Sequence, residues 1–167
     1  MVLTKQELID GLQKEVHILL HLASKVEPEM VDYRPTEKQR STLELLRYLT
    51  VMGPALIKGI TSGEFDRPGF GAAMEAASKM DFNQAVAAIE TQKTVVPELL
   101  SGMSDADFRA DLEMFGRTAS KGAFMVQMVW NGYATYRMQL FLYLKSCGRE
   151  ELNTMNLSQG VDAPMPG

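Results

Sequence analysis

Arg40-Ser41-Thr42-Leu43-Glu44-Leu45-Leu46-Arg47-Tyr48-Leu49 is the stretch on which the fold turns. Ser41 followed by Glu44 is a capping box: the hydroxyl accepts from a free N–H of the first helical turn, and the carboxylate reaches back to the Ser41 amide. Behind it Leu45, Leu46, Leu49, Met52, Leu56 and Ile60 recur at steps of three and four, which puts them along one face of a helix. Gly63 ends that helix. Gly53-Pro54 lies inside it. Pro54 has no N–H to give the carbonyl of Thr50, so a kink is expected there.

The same reading extends in both directions. Thr4 with Glu7 caps a first helix over residues 4–25, striped by Ile9, Leu12, Val16, Leu19, Leu20 and Ala23. Pro28 and a polar stretch to Arg40 follow, a connection longer than most helix–helix links. That length permits a crossover, so helices 1 and 2 need not be antiparallel neighbours. Glu64 to Gly71 reads as a loop and Ala72 to Met80 as a short helix. Asp81 with Gln84 caps a third helix carrying Phe82, Val86, Ile89, Val96 and Leu99 or Leu100, with a kink or early end expected at Pro97. Ser104 to Phe108 reads as one turn and Asp111 to Gly116 as an extended connector. A fourth helix runs from Lys121 to Cys147, stopped by Gly148, with the inward line Met125, Val129, Gly132, Tyr136, Leu140 and Tyr143. The architecture expected is all-α: a four-helix bundle with a long helix 1–helix 2 connection and short accessory helices. Residues 1–150 form the bundle domain. Residues 151–167, poor in large apolar side chains, form an extended C-terminal tail.

Composition narrows the function classes. A chain of 167 residues buries roughly two-thirds of its unfolded surface and needs no staples. The net charge of −4 and the lack of a basic stripe with interleaved aromatics argue against nucleic acid. No apolar run is long enough to span a bilayer, so no membrane partner is expected. Met1 to Asp10 has no basic start followed by an apolar block, the mark of a secretory signal. The single cysteine, Cys147, allows no internal disulfide, and a cytoplasmic location is the default.

Three stretches resemble the DinB-like family of metal-binding four-helix bundles. The first is Asp32-Tyr33-Arg34-Pro35 with Arg40-Ser41 and the helix Leu43 to Leu49. The second is Phe115-Gly116-Arg117-Thr118. The third is Tyr136-Arg137-Met138-Gln139-Leu140 running to Tyr143-Leu144-Lys145-Ser146-Cys147-Gly148. The family pattern in the third is His, three residues, His-Arg-Gly-Gln, then Tyr-Leu-Arg and a closing Gly. The resemblance places the family's helix 2 His on Tyr48 and its two helix 4 His on Gly132 and Tyr136. Two phenols that titrate near 10 and a residue with no ligand atom do not replace three neutral imidazoles. The resemblance therefore implies the family's cleft without its metal. No cofactor is expected, and the former cleft becomes a small-molecule site lined by Tyr48, Tyr136, Gly132, Arg137 and Met52. Each has a simpler role as well. The two tyrosines serve equally as core residues with one hydrogen bond each, and Arg137 as half of a structural ion pair.

His17 and His21, the only histidines, stand i, i+4 on helix 1. That is metal-ligand spacing, but they lie beside the apolar stripe with no cysteine near them. Cys147 sits at a helix C-terminus, where the dipole opposes a thiolate, and reads as a packing residue. Trp130-Asn131 reaches a pocket, a subunit contact or plain packing. Twelve methionines suit an adaptable interior or interface. Binding without metal is the leading function. Two alternatives stay open: a metal-dependent enzyme of hydrolase or thiol-transferase type with nickel or zinc relocated to His17 and His21, and a non-catalytic homodimeric interaction protein. A homodimer is the partner that the resemblance implies.

Overall fold

A computed structural model describes residues 3–165. In chain order the helices are α1 (Lys5–Ala23), α2 (Thr42–Ser62), α3 (Arg67–Ser78), α4 (Phe82–Ser101) and α5 (Asp105–Arg109). A hairpin of β1 (Asp111–Met114) and β2 (Arg117–Ser120) follows, antiparallel with Asp111 opposite Ser120. Then come α6 (Lys121–Phe124), a π-helical segment (Met125–Trp130), α7 (Asn131–Ser146) and α8 (Thr154–Gln159). The stretch 121–146 is one continuous helical rod. The fold is all-α apart from the hairpin. Among the described residues no helix is long and apolar enough to cross a membrane.

The capping boxes at Thr4, Ser41 and Asp81 all form, and Gly63 closes α2 at φ 91°. Around the bundle α1 and α2 each pack against α4 and α7, and so sit diagonally opposite one another. The long connection makes that crossover. It folds back on α2, where the amides of Thr42 and Leu43 donate to the carbonyls of Tyr33 and Val31, each at 2.9 Å.

Four expectations are corrected. Helix α3 starts at Arg67, inside the stretch read as a loop. The Asp66 carboxylate caps Gly69 N at 2.9 Å, and Pro68 falls in the first turn, where its missing N–H has no helical partner to lose. Of the kink or early end expected at Pro97, the early end does not occur: helix α4 runs past Pro97 to Ser101, and the carbonyl that Pro97 leaves without a helical donor belongs to Lys93, an exposed residue. The tail is not simply extended: Asn153 and Asn156 make a capping box, α8 forms, and Gly160 closes it at φ 68°. Finally, the inward line of the last rod keeps Met125, Val129, Leu140 and Tyr143 as expected, but Tyr133 and Phe124 are buried with them while Gly132 and Tyr136 are half-buried at its flank.

One buried polar tie fastens three helices. Gln92 of α4 is 1% exposed, and its amide donates to Leu49 O at 2.9 Å and Thr50 O at 3.2 Å. Thr50 O is the carbonyl that Pro54 leaves without a helical donor. The Tyr133 hydroxyl donates to the Gln92 side-chain oxygen, and a Cβ on Gly53 would sit 1.8 Å from that hydroxyl. Gly53 makes room for Tyr133, and Gln92 supplies the hydrogen bond that Pro54 withholds. Gln92→Leu should cost about 1–3 kcal/mol in urea unfolding, the range for a buried polar group left unpaired. The cost should shrink in a Pro54→Ala background, where residue 54 supplies the missing N–H. Equal costs in the two backgrounds would contradict the tie.

Candidate functional site

The structure brings four of the five candidate residues together. The Tyr48 and Tyr136 rings meet edge to face, centroids 5.0 Å apart. The Arg40 guanidinium lies 4.1 Å from the Tyr48 ring centroid. A Cβ on Gly132 would stand 3.1 Å from both Sδ and Cε of Met52, and Met52 is buried. The thioether thus fills the space that the missing side chain of Gly132 leaves. Burial, with the Tyr136 phenol beside it, pushes the Tyr48 hydroxyl up to about 12, against a weaker opposing pull from Arg40. A phenol that stays neutral, a glycine and a thioether do not suit the hard or borderline divalent ion that three imidazoles hold. The residues present do not fit the family's metal.

Arg137 is not part of this cluster. It follows Tyr136 by one residue on α7 and so projects about 100° away around the helix. Its Nε and Nη2 donate to the Glu15 carboxylate of α1, and its Nη1 donates to Leu157 O of α8. Glu15 is 6% exposed. Its Oε1 also accepts from Trp130 Nε1 at 3.3 Å.

His17 and His21 face the C-terminal segment. His17 Nε2 meets Gly160 O at 3.1 Å, and His21 Nε2 meets Asn156 Nδ2 at 3.1 Å. Among the described residues no group of three His, Cys, Asp or Glu side chains gathers for a metal ion. We assign the pair to holding that segment. Burial pushes the Cys147 thiol up, away from the reactive thiolate.

The large open volume lies on the other flank of α7. A groove of about 800 Å³ runs between α1 and the last rod, with α5 at one end. Its walls are Leu8, Phe108, Ala123, Val126, Trp130 and Ala134, and Glu15 and Arg137 form its inner edge. Val126 and Trp130, four residues apart, share the groove side of the rod. Gly11 admits the indole, since a Cβ there would lie 2.1 Å from the ring. Sequence reasoning noted Trp130 but missed Glu15, Phe108 and Val126. The available signal was Gly11 itself, a glycine in mid-helix that costs stability unless something needs its space.

No family model matches the chain, and neither does any curated protein. Its fold is that of a DinB-like protein. The crystal structure of the DinB-like protein YjoA from Bacillus subtilis aligns with a TM-score of 0.67 and 20% sequence identity, over 88% of this chain and 95% of that one. At that identity the likeness is one of fold.

The phenols give a pH prediction. Of the five tyrosines, Tyr48 and Tyr133 are both pushed up by burial. The unfolded chain ionises its phenols near 10. Below that both states are neutral and these groups contribute nothing; above it the unfolded state sheds protons the folded state keeps, so stability falls as pH rises from about 10 towards 12. Ultraviolet difference titration should show late phenols, one of them removed by Tyr48→Phe. A single step near 10 for all five would contradict this account.

Proposed function

We propose that the chain is a metal-free, ligand-binding helical bundle, and that its ligand is a largely apolar, uncharged small molecule held in the groove between α1 and the last rod. The groove carries this reading. Its volume of about 800 Å³ lies within the range of pockets for drug-sized ligands, and its exposed lining surface is mostly apolar. Glu15 and Arg137 neutralise one another at its inner edge, and the other charged residues that line it, Lys5, Asp105 and Arg109, are of both signs at the α5 end, an arrangement that favours an uncharged ligand. The Tyr48–Tyr136 cluster is the weaker candidate, because Met52 already fills the space beside Gly132. A relocated metal at His17 and His21 is disfavoured by the contacts both rings make with the C-terminal segment. The half-buried Cys147, with no cysteine to pair with, fits a reducing, cytoplasmic setting.

A homodimer is a second reading, favoured by Met138 and Leu142. They are 42% and 54% exposed, one turn apart on the outer face of α7. A purely monomeric sedimentation profile at high protein concentration would contradict it.

The groove is tested with N-phenyl-1-naphthylamine, a neutral apolar dye. Its emission should rise on binding and Trp130 emission should fall. Val126→Asp, which puts a charge on an apolar wall, should weaken binding by about tenfold, or ~1.4 kcal/mol. Tyr48→Phe should leave it unchanged. Absent binding, or binding indifferent to Val126→Asp, would count against the groove.

A further inference from the structure

Residues 153–163 lie along one stripe of α1, gripped at four points. Lys14 Nζ donates to Gln159 Oε1 at 3.0 Å, and His17 Nε2 donates to Gly160 O at 3.1 Å. His21 Nε2 meets Asn156 Nδ2 at 3.1 Å, and Lys25 Nζ pairs with Asp162 Oδ2 at 2.5 Å. The four residues are spaced three or four apart, so one face of α1 presents them all. Gly160 presses closest. A Cβ there would sit 2.8 Å from the His17 ring and 3.1 Å from the backbone of Ile18, and its φ of 68° already favours glycine.

The segment also reaches the groove. Leu157 O accepts from Arg137, Arg137 donates to Glu15, and Glu15 accepts from Trp130. Arg137, Glu15 and Trp130 all line the groove.

We propose that residues 153–163 are a strap whose docking on α1 shapes the groove through Arg137, and that His21 makes this docking sensitive to protons. This rests on the groove as the binding site. The orientation of Asn156 carries the proton sensitivity. Its Oδ1 accepts from Asn153 N at 2.8 Å in the α8 cap, so its Nδ2 must face outward. Both Nδ2 hydrogens are used, one towards Asp162 Oδ1 at 2.8 Å and one towards His21. His21 Nε2 is therefore the acceptor, a role open only to the neutral ring. Protonation sets N–H against N–H and breaks the bridge to Asn156; the attraction of Asp162 Oδ1, 3.6 Å from Nε2, is outweighed by the burial of the ring. His17, donating to a carbonyl, keeps its bond in either state.

The charged groups facing His21 are Asp162, Lys25 and His17. Burial holds His21 below its ordinary value, Asp162 opposes that, and Lys25 and His17 add to it. The folded strap thus resists a proton that the free strap accepts, and docking weakens as pH falls through about 6.5 and below.

Trp130 is the only tryptophan, so acrylamide quenching of the full chain reads the inner edge of the groove with no ligand present. Between about pH 8 and pH 5.5 the wild-type quenching constant should rise by about twofold as the strap lifts. His21→Gln should stay low at both pH values, and Gly160→Val should be high at both, with circular dichroism losing little beyond α8. Wild-type quenching that ignores pH would overturn the proposal, as would a folded Gly160→Val that quenches like wild type. Should Gly160→Val fail to fold, the wild-type and His21→Gln profiles decide alone. A groove that binds no dye would sink the ligand reading while leaving this readout intact, so the two failures are separable.

Discussion

The buried pair of Glu15 and Arg137 is the constraint on which the functional half of the molecule depends. Taking two charges out of water is expensive, and their attraction offsets that cost only when the remaining donors and acceptors are satisfied. Here they are well supplied. Glu15 accepts from Trp130 as well as from two Arg137 nitrogens, and Arg137 uses a third nitrogen on Leu157 O. One pair therefore joins α1, α7, α8 and the π-helical segment. Removing Arg137 leaves the buried Glu15 carboxylate without its charge partner, a loss of about 3–5 kcal/mol. The pair shapes the groove edge, seats the indole over Gly11, and links the C-terminal segment to both.

The opposite flank of α7 is closed by packing. The phenols of Tyr48 and Tyr136 pack on one another, and Met52 takes the volume beside Gly132. Methionine suits that task because its unbranched thioether fills irregular gaps. The result is a closed cluster where an open coordination sphere would need imidazoles and a water position. The core itself comes from the apolar stripes of the four long elements.

What the sequence made legible follows from how local each signal is. The caps at Thr4, Ser41 and Asp81 depend on residues three apart and were readable, as was the stop at Gly63. The length of the connection permitted the crossover between α1 and α2 without fixing it. The π turn was not readable, because a count by 3.6 has no place for one extra residue; and Tyr133, four residues past Val129, was as consistent with the stripe as Gly132 was, so spacing alone did not decide between them. Gln92 was invisible as a core residue, since only the carbonyl freed by Pro54, on a different helix, explains its burial. Helix α8 escaped notice because its six residues carry little apolar surface, and side chains 140 residues earlier hold it. The groove draws on α1, α5 and the last rod, so no single stretch announces it.

The central claim is that this fold works without a metal. It is tested most directly by elemental analysis of untagged protein with nickel and zinc thermal-shift titrations. A site held at 100 times its Kd would add about 2.7 kcal/mol, or roughly 5–10 °C in Tm for a chain of this size. The account predicts no bound metal and no concentration-dependent rise. Near-stoichiometric nickel or zinc, with a Tm that climbs with concentration, would contradict it and make the protein a metal-binding bundle after all.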